Sequence, residues 1–489
     1  MNQAADQVVD VAVIGAGVSG IGAAIRLRQE GVRDVVVLEK ADDVGGVWRD
    51  NVYPGCAVDI PSVCYSYSFA PHDGWSRTFA PQREILDYLR STAERFGVLD
   101  QVRLGVEVLE AAWDGHGAVW RIRTTAGEVA ARSLIAAAGP WHEPSIPDVP
   151  GLADFPGPVF HTSRWEDVDL DGKTVAVVGT GASAVQVVPS IAADVGHLHV
   201  FQRTPQWILP KADKVNDTSR SSRAALQRLD RRRQQLVIEL SNVAFQHKRG
   251  RALLQKLAAQ NISSAVSDPE MRRALTPTWD IGCKRLLMSN EYYPALARPD
   301  VTLHPTGLRE VDGDVLVGDD GSRTPVDVLV LATGFKILEM PIADRVRGAD
   351  GRTLAEHWDG SPHAYKGTFV PGFPNLYLVF GPNVSAVTSG FTIVEAQLDQ
   401  IALALRHVRA THAGALEVRT EVEEQFNDEV QAALQSTVYN TGGCQSYYFD
   451  RNGRNGFSWP WSARRLRKVL SRFDPDDYLV DAPVPQEQR

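Results

Sequence analysis

Apolar runs broken by short polar turns give this chain its plan. Two runs rich in β-branched residues, 9–14 and 174–178, each stop at a glycine-rich turn and give way to an alanine-rich stretch that reads as helix. Two more, 133–139 and 326–335, also end in glycine, and 376–383 is the last. From 213 to about 271 the pattern changes to helical spacing, with Leu226, Leu229, Leu236 and Leu240 among Arg231, Arg232 and Arg233, whose arginines read as a solvated face. Repeated prolines between Pro140 and Pro158 deny the backbone donors that a helix or central strand needs, and mark a crossing between domains.

The two turns carry the chemistry. Gly15-Ala16-Gly17-Val18-Ser19-Gly20 and Gly179-Thr180-Gly181-Ala182-Ser183-Ala184 each fit a strand-to-helix phosphate loop, Ala184 being a permitted third position. The first glycine allows the tight turn, and the second lets backbone approach a pyrophosphate at the helix N-terminus. Each loop is followed, 24 residues after its first glycine, by a charge: Glu39 in one case and Arg203 in the other. A carboxylate there accepts from ribose hydroxyls, whereas arginine pairs with a 2′-phosphate. The first unit therefore suits FAD and the second NADP.

These signals predict an α/β fold of two Rossmann-like dinucleotide-binding domains with an inserted helical subdomain. The expected divisions are 1–145 for the first part of the FAD domain and 151–212 for the first part of the NADP domain. A helical insertion follows at 213–280, the second part of the NADP domain at 281–335, and the FAD-domain completion with the substrate-pocket region at 336–489.

Composition removes other classes. A chain of 489 residues with 44% hydrophobic and 23% charged residues is long enough for two or three domains, each with its own core. Net charge −9 argues against general nucleic-acid binding. No stretch approaches the ~20 apolar residues of a membrane span. The first six residues lack a secretion pattern, which makes the cytoplasm the expected location. Cys56, Cys64, Cys283 and Cys444 lack C-x-x-C spacing and read as ordinary small buried residues, without a zinc or dithiol site. Dispersed histidines give no metal pattern, and no G-x-S-x-G elbow suggests a hydrolase.

Two further motifs resemble those of the Baeyer–Villiger flavoprotein monooxygenases, and the resemblance spans most of the chain. Residues 155–165, from Phe155 through Gly157 and His161 to Trp165, match F-x-G-x-x-x-H-x-x-x-W, with Glu166 next where that family commonly has proline or aspartate. Residues 45–59 match G-G-x-W-x-x-x-x-Y-P-G-x-x-x-D through Gly45, Gly46, Trp48, Tyr53, Pro54, Gly55 and Asp59. Chemically, Gly46 allows close backbone approach, Trp48 offers an apolar wall for an isoalloxazine, and the Pro54-Gly55 turn can aim Asp59 inward. His161, directly after the proline-rich crossing, reads either as a general base or, preferably, as a hinge between the nucleotide domains.

The resemblance implies further roles. Lys40, Val47, Tyr65 and Val108 join the flavin site. Lys284 joins Arg203 and Thr204 at the NADP 2′-phosphate, and Arg285 is the active-site cation, with Asp59 orienting it. The implied reaction uses NADPH and O₂ to form a C4a-peroxyflavin that attacks a ketone and yields an ester or lactone. The expected partners are a small ketone and O₂, with no nucleic acid, and the chain is a monomer or homodimer. The runner-up is an N- or S-oxygenase acting on amines or sulfides. A disulfide oxidoreductase needs a C-x-x-C beside the flavin, and a non-enzymatic NADPH sensor has no use for Lys284 and Arg285. The aromatic C-terminal segment around Tyr447, Tyr448 and Trp461 reads as packing, with Trp461 the better pocket candidate.

Overall fold

The computed structural model describes residues 8–216 and 224–481; the N-terminal residues used in the secretion argument and the side chain of Leu226 lie outside the described residues. The chain opens with β1 (Val8–Ile14), α1 (Val18–Gln29) and β2 (Val35–Leu38), followed by the single turn α2 (Val47–Asp50) and the helix α3 (Gln82–Arg95). Then come β3 (Val102–Arg103), β4 (Val108–Asp114), β5 (Val119–Thr124) and β6 (Gly127–Ala136).

β1 pairs in parallel with both β2 and β6. Val11 and Val13 point to one face of this sheet, where they meet α1, and Ala12 and Ile14 to the other, where they meet Leu134 and Trp120. Burial on both faces is why the strand reads as an almost unbroken apolar run. Each such valine, fully removed from water, is worth roughly 1.5–3 kcal/mol. The ten-residue β6 has two partners on one edge: its first half forms an antiparallel ladder with β5, and Leu134–Ala136 pair in parallel with a strand from much later in the chain.

The second sheet begins with β7 (Val159–His161), β8 (Thr174–Val178), α4 (Ala182–Ile191) and β9 (His197–Phe201). After β10 (Ile208–Leu209) the helices α5 (Ala224–Gln246), α6 (Lys248–Ala265) and α7 (Pro269–Leu275) intervene. The chain returns through β11 (Leu287–Met288) and β12 (Val301–His304) to an antiparallel meander of β13 (Leu308–Asp312), β14 (Val315–Gly318) and β15 (Arg323–Pro325), and then β16 (Val328–Leu331). The five-stranded order is β12-β9-β8-β16-β7, all parallel. The α/β class, with one mixed and one parallel nucleotide-type sheet and a helical insertion, is as expected from the sequence.

β17 (Val346–Arg347) and β18 (Leu376–Leu378) then rejoin the first sheet, on β4 and β6. The strands at β6 and β16 each lead into a glycine-ended loop at the carboxyl edge of their sheet, where α/β folds bind ligands.

Candidate active site

The first glycine loop is built by close backbone contact. Gly15 has φ +96°, and a Cβ there would sit 2.8 Å from the Ala137 oxygen; at Gly20 it would sit 1.8 Å from the Gly15 oxygen. A Cβ on Gly46 would lie 3.0 Å from the Gly17 Cα, so the Gly45-Gly46 turn rests directly on the loop. The Gly45 amide donates to the Ala16 oxygen at 2.9 Å. α1 starts at Gly17 with no side-chain cap and no acid in its first turn, leaving free N–H groups for an anion.

Over this loop lies a cavity of about 1280 Å³, counting its open mouth. It runs from the glycine loop past Glu39 to Tyr65 and Phe391, an extent that suits a dinucleotide. Gly15, Gly17, Ser19, Glu39, Lys40, Gly46, Val47, Tyr65 and Val108 line it, as does the loop Pro140–Glu143, whose only sequence signal is Pro140. Gly20, Trp48 and Asp59 are not on its wall. Gly20 is inside the turn. Trp48 is buried and serves as a support: its Nε1 donates to the Tyr65 hydroxyl at 3.1 Å, and Tyr65 lines the cavity together with Trp141, Phe380 and Phe391. Burial pushes the Tyr65 phenol above its ordinary range, so it stays a neutral donor.

Glu39 is buried at the end of β2, where its carboxylate accepts from the Ala16 amide at 2.8 Å and the Ala41 amide at 3.0 Å and lies 3.3 Å from Arg49. Two oxygens with about four lone-pair directions leave room for ribose hydroxyls as well. The loop, the open helix end and the acid fit an FAD adenosine diphosphate.

The second loop repeats the geometry. Gly179 has φ +122°, and a Cβ there would meet the Ala332 oxygen at 2.3 Å, while the space at Gly181 is open. α4 (from Ala182, through Ser183 and Ala184) begins uncapped and without acids. The Thr180 hydroxyl donates to the Thr204 carbonyl at 2.8 Å and ties the loop to the residue after Arg203. Burial and then the nearby Arg203 charge lower the Lys284 pKa. Two neighbouring cations, neither in an ion pair among the described residues, fit a 2′-phosphate. Lys284 Nζ also stands 5.5 Å from the centre of the Trp279 ring.

Asp59 and Arg285 meet edge to edge: Nε donates to Oδ2 at 2.6 Å and Nη2 to Oδ1 at 2.7 Å. The Asp59 charge raises the Arg285 pKa well beyond any working pH. Burial opposes ionisation of Asp59, but the charge and hydrogen bonds of Arg285 together hold its carboxyl below the ordinary range. Tyr447 and Tyr448 stand close enough to act on Arg285, while Trp461 packs on Trp459 and under Arg465. The aromatic C-terminal residues that approach the cation are therefore the tyrosines.

The segment carrying Asp59 is seated on α4. A Cβ on Gly55 would come within 2.1 Å of Ser190 Oγ and 2.6 Å of the Gln186 oxygen. The Tyr53 hydroxyl donates to Gln186 Oε1 at 3.0 Å, and Gln186 Nε2 donates to the Ala57 carbonyl at 2.9 Å. Sequence reasoning missed Gln186; its only signal is one amide on a largely apolar helix.

His161 ends β7, buried, with Nδ1 at 2.8 Å from Ser163 Oγ and its ring edge-on to Phe335. Burial lowers its pKa to about 4, with the Gly334 backbone opposing, so the ring is neutral at pH 7. Among the described residues, Nε2 makes no hydrogen bond of good geometry. The next turn, Thr162–Arg164, touches α2 of the flavin sheet.

The reading of all four cysteines as ordinary small buried residues needs correction. Cys56 and Cys64 are free and buried, but Cys283 and Cys444 are bonded, with Cα atoms 6.1 Å apart. The partners lie 161 residues apart, so local spacing carried no trace of the pair. The bond joins the segment of Lys284 and Arg285 to that of Tyr447.

A family described as pyridine nucleotide-disulphide oxidoreductase matches residues 12–249, the part holding both glycine loops. A Baeyer-Villiger monooxygenase of Streptomyces coelicolor (strain ATCC BAA-471 / A3(2) / M145) is 45% identical over 487 residues, covering 98% of this chain and 94% of that protein. Oxidized steroid monooxygenase bound to NADP superposes with a TM-score of 0.87 at 30% identity, covering 97% of this chain and 100% of that one. OTEMO in complex with FAD and NADP gives 0.87 at 26% identity, covering 96% and 99%. Matched along nearly its whole length, and carrying sites that fit both nucleotides, the chain belongs to the Baeyer–Villiger monooxygenase family, whose members use FAD, NADPH and O₂ to insert an oxygen atom beside a ketone carbonyl.

Proposed function

We propose that the Arg285–Asp59 pair is the catalytic centre of this monooxygenase, and that its bidentate geometry is the observation that carries the assignment. FAD is assigned to the first glycine loop, with residues 1–145 and 336–489, and NADPH to the second, with 151–212 and 281–335. When bound and reduced by NADPH, FAD supplies the activated oxygen.

Of the five N–H donors of a guanidinium, those on the Nε and Nη2 edge go to Asp59, leaving the Nη1 pair and one Nη2 hydrogen without a partner among the described residues. Those donors stabilise the negative charge that develops as oxygen is delivered to the carbonyl, in a fixed orientation that costs no reorganisation. Asp59 is a positioning residue in this scheme. Lys284, Arg203 and Thr204 hold the NADPH 2′-phosphate, and Gln186 and Gly55 fix the spacing between the two nucleotide units. A neutral, buried His161 acts at the hinge.

A small ketone and O₂ are the co-substrates. A cytoplasmic enzyme working as a monomer or homodimer is the reading we keep, against which the Cys283–Cys444 bond weighs, because disulfides are rare in the reducing cytosol. Product analysis with ¹⁸O₂, NADPH and a panel of ketones tests the assignment. The expected result is an ester or lactone carrying one labelled oxygen; label appearing only in amine or sulfide oxides contradicts it.

A further inference from the structure

We propose that the outward side of α5 and α6 is a docking face for an anionic phospholipid surface. α5 is attached through one side: Arg231 Nη2 donates to the Ser66 carbonyl at 3.0 Å, Glu239 accepts from the Ala463 amide at 3.2 Å, and Asn242 donates to the Val387 carbonyl. At about 100° per residue, the opposite side carries Leu229, Leu236, Leu240 and Val243, which are 64%, 59%, 59% and 47% exposed. On α6, Leu253 and Leu257 are exposed too, at 59% and 41%. Monomeric proteins rarely leave so many neighbouring aliphatic side chains in water without a partner.

Charge identifies the occupant. α6 contains no acid, and the two acids of α5 are Asp230 and Glu239, of which Glu239 is turned inward. Arg228, Arg232, Arg233, Lys248, Arg249 and Lys256 are exposed and make no ion pair among the described residues, in a chain whose net charge is −9. Leucine and valine rimmed by arginine and lysine is the composition of a helix lying in a membrane interface. A second copy docking about a two-fold axis would set these cations against themselves. The patch also lacks exposed Trp, Tyr or Met, the anchors common at protein interfaces. The face lies on the surface of a bilayer and does not cross it, since among the described residues no helix is long and apolar enough to span one.

Flotation of the flavin-loaded full chain with vesicles tests this, using phosphatidylcholine alone and an equimolar mixture with phosphatidylglycerol. The expected result is flotation with the anionic vesicles, reversed by high salt, and weak or none with phosphatidylcholine. Leu236→Glu combined with Leu240→Glu is expected to lower the bound fraction by about tenfold or more, while flavin content and turnover of a water-soluble ketone stay unchanged. The proposal fails if the wild type stays in solution with anionic vesicles or if the double variant floats equally well. It also fails if sedimentation shows a dimer that the same substitutions dissociate, which assigns the face to a second copy.

Discussion

Asp59 and Arg285, 226 residues apart, meet through two parallel hydrogen bonds that tie the loop after the Gly45–Gly55 segment to the chain emerging from the helical insertion. The carboxylate fixes one edge of the guanidinium and so decides where its remaining donors point. Asp59→Asn keeps the shape but removes the countercharge, and charge-assisted bidentate contacts are about twice as strong as neutral ones. The expected outcome is continued NADPH oxidation with about a tenfold or greater loss of ester formed per NADPH, read from the ratio of product to cofactor consumed. In an Arg285→Ala background the same change is expected to add little, because the two residues act as one unit.

The proposed 2′-phosphate site bears on cofactor choice. Lys284 stands close enough to Arg203 for that charge to disfavour its own, and neither has an acidic partner among the described residues. Removing either cation deletes a charge-assisted contact worth roughly 1.5–3 kcal/mol. Arg203→Ala and Lys284→Ala are each expected to raise the KM for NADPH by about tenfold or more, with the KM for NADH nearly unchanged. Steady-state kinetics with both cofactors checks it.

His161 links pH to stability. Its folded pKa of about 4 lies below the ordinary 6.5, so between those values the unfolded chain takes up a proton that the folded chain refuses. Stability is therefore full above about pH 6.5 and falls as pH drops toward 4, by at most roughly 3 kcal/mol from this residue. The urea midpoint is expected to fall between pH 7 and pH 5, and His161→Asn is expected to flatten that slope.

Much of the site was legible because its chemistry sits in local motifs. Glycine turns after apolar strands, Glu39 and Arg203 at equal offsets, and the run from Gly45 to Asp59 all lie within short windows, where spacing encodes geometry. Trp48 shows the limit: its type and neighbourhood were readable, but whether its ring faces the cavity or supports Tyr65 depends on packing. Gln186, Gly55 against Ser190, and the Cys283–Cys444 bond are contacts between distant segments, and no periodicity records them. The helical insertion was visible as 3.6-residue spacing, yet three of the leucines that produced it, Leu229, Leu236 and Leu240, turned out to face solvent. Amphipathic spacing gives the helix, not what covers its apolar side.

In the proposed scheme Arg285 serves oxygen transfer and not flavin reduction, and Arg285→Ala separates the two. The measurement is the rate of flavin reduction by NADPH without oxygen, set beside ester formation in air, for wild type and variant. The expected result is near-normal reduction with ester formation down by a factor on the order of 10²–10³. Ester formation that survives the substitution, or reduction that falls as steeply as oxygenation, would contradict it.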